Sequence, residues 1–253
     1  MGLHERLKPR TYLETGVSKG ASLALSAARS IGIDPAFQIR TELTGTVKLA
    51  RTTSDDFFAA TDPKEWLGGP IDLAFIDGMH LFEYALRDFI NIERHCRWSS
   101  VIAFDDMLPR SVDEAARDRH SRSWTGDVFW MSEVLKAYRP DLTTILVDTL
   151  PTGVLVVLGL DPENTTLRDR YDEIVAAYVH DDPQPVPDHI LGRADARDAR
   201  ILLDSPVWEV LRSGRRRRRS RRRGVEQIAR ALEDPKGRRR RLRGPLRQIL
   251  KSR

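Results

Sequence analysis

Three short apolar runs, each cut off by a glycine or an acid, constrain this 253-residue chain more than any other feature. They are TYLETG (Thr11 to Gly16), IDLAFIDG (Ile71 to Gly78) and VIAFDD (Val101 to Asp106). Brief runs without polar alternation suit strands buried on both faces, the habit of parallel sheets covered by crossover helices. After the first run, Gly16 and Gly20 permit a tight turn and Ala21 to Arg29 is expected to start a helix. After the second, Leu81, Tyr84, Leu86, Phe89, Ile90 and Ile92 recur near helical spacing. Repetition of strand, turn and helix predicts an α/β fold of the Rossmann-like, doubly wound kind.

Between these landmarks, SIGIDPAF reads as a second strand closed by Asp34 and Pro35, and VKLARTTSDDFF as a third strand running into a Ser54-Asp55-Asp56 cap. Ser111 to Asp127 is charged and lacks a steady apolar period, so it is expected to be a long connection lining a substrate site. Val128 to Pro140 reads as an amphipathic helix, and TTILVDT and GVLVVLGL as a closing antiparallel hairpin. A helix over Thr166 to Tyr178 precedes DDPQPVPDH, a Pro-rich linker. The expected organisation is a domain over residues 1–180, a linker with a short helix over 181–213, and a disordered Arg-rich tail over 214–253.

Charge reinforces that division. From Gly214 onward there are 18 Lys and Arg against three acids, a surplus of 15 in a chain whose net charge is +5, which leaves the preceding residues at −10. An acidic body with a basic tail directs any attraction to polyanions, RNA or an anionic membrane surface, to the tail. No aromatic residue follows Trp208, so base stacking is not available there. The single cysteine, Cys96, excludes an intramolecular disulfide and a Cys-rich metal site, which fits a reducing cytoplasm. The longest apolar run, Val154 to Leu158, is too short to span a bilayer.

The acids carry the chemistry. Asp34 lies 18 residues after Gly16, the approximate spacing at which doubly wound folds place an acid for ribose hydroxyls, although an Asx-type turn before Pro35 explains it equally. Asp77, Asp105 and Asp106 follow buried strands and converge if those strands are neighbours; such hard oxygen ligands suit Mg²⁺, Ca²⁺ or Mn²⁺, with Mg²⁺ the expected ion. His80, three residues beyond Asp77, is placed to take a proton near neutral pH.

In segment order and motifs, Thr11 to Leu160 resembles the class I S-adenosylmethionine-dependent methyltransferases. Glu14-x-Gly16-x-x-x-Gly20, with Ser18 inside it, looks like the first motif of that family, around the methionine part of the cofactor, and Ser22 matches a position that can hold its carboxylate. By the same resemblance Asp34 would bind the ribose and Ser54 and Asp55 the adenine, on a mostly parallel seven-stranded sheet ending in an antiparallel hairpin. FIDGMHLFEY and VIAFDD look most like O-methyltransferases of the catechol and bacterial macrolide-sugar types. That implies a metal held by Asp77, Asp105 and Asp106, with His80 where catechol-type enzymes carry a lysine base. The expected activity is methylation of a small-molecule hydroxyl. The alternatives keep the same fold and use the tail, either to bring the domain to RNA that it methylates or to bind RNA or another polyanion without catalysis.

Overall fold

In the computed structural model residues 2–120, 122–216 and 220–233 are described. Helix α1 (Gly2–Leu7) leads into β1 (Thr11–Thr15), and β2 (Arg29–Ile33) and β3 (Val47–Ala50) follow. Helices α2 (Ser54–Ala60) and α3 (Pro63–Leu67) precede β4 (Leu73–Ile76), α4 (Phe82–Glu93) and β5 (Val101–Phe104). Then come α5 (Trp130–Tyr138), the hairpin β6 (Thr143–Asp148) and β7 (Val154–Leu158), α6 (Thr166–Asp169) and α7 (Tyr171–Tyr178). The chain finishes with α8 (Asp188–Leu191), β8 (Arg197–Asp198), α9 (Ala199–Leu203), α10 (Val207–Arg216) and α11 (Arg221–Glu233).

One sheet runs in the order β3-β2-β1-β4-β5-β7-β6-β8. The first five strands are parallel, β7 is antiparallel to both β5 and β6, and β8 adds an eighth strand parallel to β6. The expected Rossmann-like order and final hairpin are present. Alternation along the strands divides the core between two faces. Leu13, Ala74, Ile76, Ile102, Phe104 and Val157 pack with α4 and α5 on one face. Tyr12, Leu73, Val101, Val147, Val156 and Leu158 face α1 and the C-terminal helices on the other.

Three local expectations require correction. The helix expected over Ala21 to Arg29 is a single 3₁₀ turn, Leu23–Leu25, so the crossover from β1 to β2 is almost helix-free. The serines explain why good helix formers fail there. Ser22 Oγ donates to Glu14, Ser26 Oγ accepts from the Ala28 N–H, and Ser30 Oγ donates to the Ala28 carbonyl, so side chains compete for the backbone groups a helix would use. The expected cap of α2 moves one residue upstream, since Thr53 accepts from the Asp56 N–H and Ser54 is already helical. The single helix over Thr166 to Tyr178 breaks at Arg170 into α6 and α7.

The largest correction concerns residues 181–233. The Pro-rich segment is docked on the body: the Asp182 carboxylate accepts from the N–H groups of Arg117 and Asp118, and Ile190 is wholly buried. Residues 214–216 and 221–233 are helical. Trp98 fits between Gly214 and Gly224, where an added Cβ would lie 2.4 Å from its ring at either position. Arg215, with only 5 % of its side chain exposed, lies 2.9 Å from Asp72, an acid it shares with Arg97. Arg221 pairs with Asp141 at 2.5 Å. These arginines meet internal acids, which is why part of a segment read as a solvated tail is folded. Other arginines of the expected tail, at 217–219 and beyond 233, lie outside the described residues. Among the described residues no helix is long and apolar enough to cross a membrane.

Candidate functional site

The acids reach one edge of the sheet because the strand ladder continues one residue past each strand. The Asp34 N–H bonds to Ala50, the Asp77 N–H to Thr15 and the Asp105 N–H to Ile76, each fixing its acid at the carboxyl edge. Gly16 has φ +85°, and a Cβ there would fall 1.8 Å from the Asp77 carbonyl oxygen. The room that glycine provides is thus taken by the loop after β4, and this contact sets the glycine turn against the acid cluster. Asp34 closes the turn from the other side. One of its oxygens accepts from the Ser18 N–H at 2.7 Å and the other from Ala36 at 2.6 Å. Both the Asx-type turn and the link to the glycine loop are present, and a carboxylate retains lone pairs for further donors.

Beneath the turn Glu14 is fully buried, accepting from Tyr12 at 2.5 Å and Ser22 at 2.7 Å. Burial raises it to about 7, although both hydrogen bonds act in the opposite direction. Ser54 and Asp55 stand apart from this group. Asp55 forms a forked ion pair with Arg87 at 2.9–3.1 Å, and Ser54 faces the buried carboxyl of Asp88.

Asp77, His80 and Asp106 form the tightest cluster, with one ligand atom of each within 4.8 Å of the others. His80 lies between two acids, Nε2 3.5 Å from Asp77 Oδ1 and Nδ1 2.9 Å from Asp106 Oδ2. The second contact is close but off the hydrogen-bond direction, so it acts through charge. Burial, then the charge of Asp105, pushes Asp77 up to about 8. For His80, burial acts downward but is outweighed by the neighbouring acids, chiefly Asp106, and the net shift is upward. Asp105, expected within the metal set, is outside this trio. It accepts the N–H of Asp106 at 3.0 Å and is raised to about 6, by burial and then by Asp106. His80 takes its place in the trio, from a backbone held at φ +56°.

The long connection holds that ring. Trp124 stacks on His80 with centroids 5.0 Å apart and planes 11° from parallel. Gly126 lies so close that a Cβ would fall 1.7 Å from the His80 carbonyl oxygen, and Asp127 accepts the Phe82 N–H that opens α4. None of Trp124, Gly126 or Asp88 was expected at the site. The location of Trp124 and Gly126 in a long connection at the strand edge is the sequence signal that points toward them, whereas Asp88 sits on a helix with no local mark.

Two cavities adjoin the acids. One, of about 10 Å³, is lined by Asp77, His80, Asp88, Asp105 and Asp106 and has room for about one water or ion. The other, of about 320 Å³, opens on the α1 side of the sheet, with Ser22 and Asp105 in its lining.

Residues 13–107 match a family profile described as a methyltransferase domain. No curated protein gives a significant match. Among solved structures, the chain is similar to cofactor-bound Rv0187 from MTB, at 19 % identity and a TM-score of 0.47, over 62 % of this chain and 75 % of that one. It is also similar to the O-methyltransferase TomG from Streptomyces achromogenes, in complex with SAM, at 19 % identity and a TM-score of 0.46, over 62 % and 75 %. A third, the O-methyltransferase from Bacillus cereus in complex with SAH, matches at 17 % identity and a TM-score of 0.46, over 62 % and 77 %.

Proposed function

We propose that the protein, whose residues 13–107 match a family profile described as a methyltransferase domain, is a class I, S-adenosylmethionine-dependent methyltransferase that transfers a methyl group to a hydroxyl of a small molecule with the help of a divalent cation. The observation that carries this reading is the trio Asp77, His80 and Asp106, gathered within 4.8 Å and pressed against the glycine turn through the Asp77 carbonyl. Cofactor turn and cation ligands thereby share one wall.

The residues fit both groups. Asp34, fixed at the end of β2, offers carboxylate lone pairs to ribose hydroxyls, while Glu14 and Ser22 lie below the turn. A buried acid raised to about 8 beside a second carboxylate and an imidazole is a set that a cation would relieve of mutual repulsion. With an imidazole among the donors, Mn²⁺ suits the site better than the Mg²⁺ expected from acids alone. A bound cation supplies Lewis acidity, lowering the pKa of an acceptor hydroxyl.

Because both nitrogens of His80 face carboxylates, its role here is ligand rather than base. Asp105, outside the trio, is left to accept the hydrogen bond of the hydroxyl and take its proton. When bound, S-adenosylmethionine would supply an electrophilic methyl group to the acceptor oxygen, its sulfonium leaving as a neutral thioether. Trp124 and the Asp77 turn hold the ligands in place, so that alignment and exclusion of water carry much of the rate.

Calorimetric titration of S-adenosylmethionine into the wild type and Asp34→Ala, and of Mn²⁺ into the wild type and His80→Ala, tests this reading. Cofactor binding lost with Asp34 and Mn²⁺ binding weakened at least about tenfold with His80 are expected. Absence of cofactor binding in the wild type would overturn it.

A further inference from the structure

Because the crossover after β1 is a single 3₁₀ turn, it supplies no long helix to the α1 side of the sheet. A cavity of about 320 Å³ occupies that place, between α1, α9 and the strands β1, β4, β5, β6 and β7. Its size is that of a pocket for a drug-sized molecule. Its floor is apolar, formed by Phe75, Ala103 and Val156. Leu25 and Leu150 stand in its lining with 42 % and 92 % of their surface exposed, which marks them as the rim. Large exposed apolar side chains beside an apolar hollow are the signature of a ligand entrance.

Charge narrows the occupant. Among the described lining residues there is no Lys or Arg, and His4, which lines the cavity, is pushed down to about 4 by burial and then by the positive charge of the N-terminus, so it is neutral. The charge in the lining is negative, from Asp105. A ligand with a phosphate, sulfonate or carboxylate would bury its anion without a partner, at a cost of several kcal/mol. Polar groups that can meet a hydroxyl, Ser22 and Asp105, belong to the same residues that form the candidate site.

We propose that this cavity receives the apolar body of the methyl acceptor, and that the acceptor is an uncharged, largely apolar hydroxy compound, with its hydroxyl at the Ser22 and Asp105 end. The inference rests on the methyltransferase reading and deepens it. It excludes acceptors whose charged group would have to enter the cavity.

A matched pair of fluorescent probes tests it. N-phenyl-1-naphthylamine is uncharged, and 1-anilinonaphthalene-8-sulfonate is the same aryl body with a sulfonate. The wild type is expected to bind the neutral probe at least about tenfold more tightly than the anionic one, the difference set by the unpaired charge. Ala199→Trp, on the α9 wall, fills the cavity and is expected to weaken the neutral probe at least about tenfold, with S-adenosylmethionine binding and circular dichroism unchanged. Leu25→Lys, at an exposed rim position, is expected to weaken the neutral probe and strengthen the anionic one. Equal or tighter binding of the sulfonate to the wild type, or neutral-probe binding indifferent to Ala199→Trp and Leu25→Lys, overturns the proposal while leaving the cofactor reading intact. Neutral-probe binding in a protein that does not bind S-adenosylmethionine overturns the acceptor role together with the reading beneath it.

Discussion

Gly224→Ala is expected to destabilise the wild type and to stabilise the Trp98→Leu variant. In the wild type the new Cβ would lie 2.4 Å from Trp98 Cδ2 and Cε3, whereas carbon contacts settle at about 3.5–4.0 Å. The indole is 7 % exposed and closed on its other side by Gly214, where a Cβ would be equally close, so it cannot retreat. Helix α11 must move by about 1 Å, and overpacking of this kind costs about 1–3 kcal/mol. Alanine returns about 1 kcal/mol through helix propensity, which leaves a net loss of up to about 2 kcal/mol. With Trp98→Leu the ring atoms in conflict are gone, only the propensity gain remains, and the sign reverses to a gain of about 0.5–1 kcal/mol. The coupling between the two sites is then about 2 kcal/mol, well above what additive sites show. Urea unfolding of the four proteins, with midpoints read at constant slope, measures it. Loss of the same size in both backgrounds would refute the claim that the glycines are there for the indole.

Arg215→Met is expected to cost about 2–4 kcal/mol in the same assay, because it removes one of the two arginines that hold the buried Asp72 and frees the Leu7 and Lys8 carbonyls to which Arg215 donates. Gly126→Ala should weaken Mn²⁺ binding about tenfold or more and also lower the urea midpoint, since at φ +62° its Cβ would collide with the His80 backbone. The metal-free protein should lose stability as pH rises from about 5 to 8. Asp77 at about 8, Glu14 at about 7, and Asp88 and Asp105 at about 6 all lie above the ordinary carboxylate range, so the folded state holds protons that the unfolded chain has released in that window. Thermal midpoints falling across this range, and falling less when Mn²⁺ is present, are the expected outcome; a rise with pH in the absence of metal would contradict it.

Asp34, Asp77 and Asp105 were legible at the sheet edge because each ends an apolar run, and a run that stops at an acid is a local pattern. The parallel order followed from repetition of that pattern, and the hairpin from two adjacent apolar runs. His80 was marked as chemically active, but its position between Asp77 and Asp106 depends on a left-handed backbone at His80 and on Trp124 arriving from 44 residues downstream. Neither is written in local spacing. Asp55 follows the reverse course, since a side chain that reads as free for a ligand is held by Arg87, a residue on another element.

The missing helix after β1 and the folded C-terminal arginines are two sides of one cause. With a six-residue α1 and a 3₁₀ turn as its only cover, one face of the sheet would leave Tyr12, Leu73, Val101 and Leu158 in water. Helices α9, α10 and α11 supply Leu202, Val207, Trp208, Leu211 and Ile228 to that face, all of them buried. Their apolar positions are few, and the arginines between them dominate composition, so charge density conceals an amphipathic pair of helices. The arginines are compatible with folding because Asp72 and Asp141 wait for Arg215 and Arg221 on the body. A chain ended before Ala199 therefore loses the cover of one core face and the α9 wall of the large cavity together. If the acceptor enters by that cavity, the C-terminal helices shape the substrate site as well as the stability of the sheet.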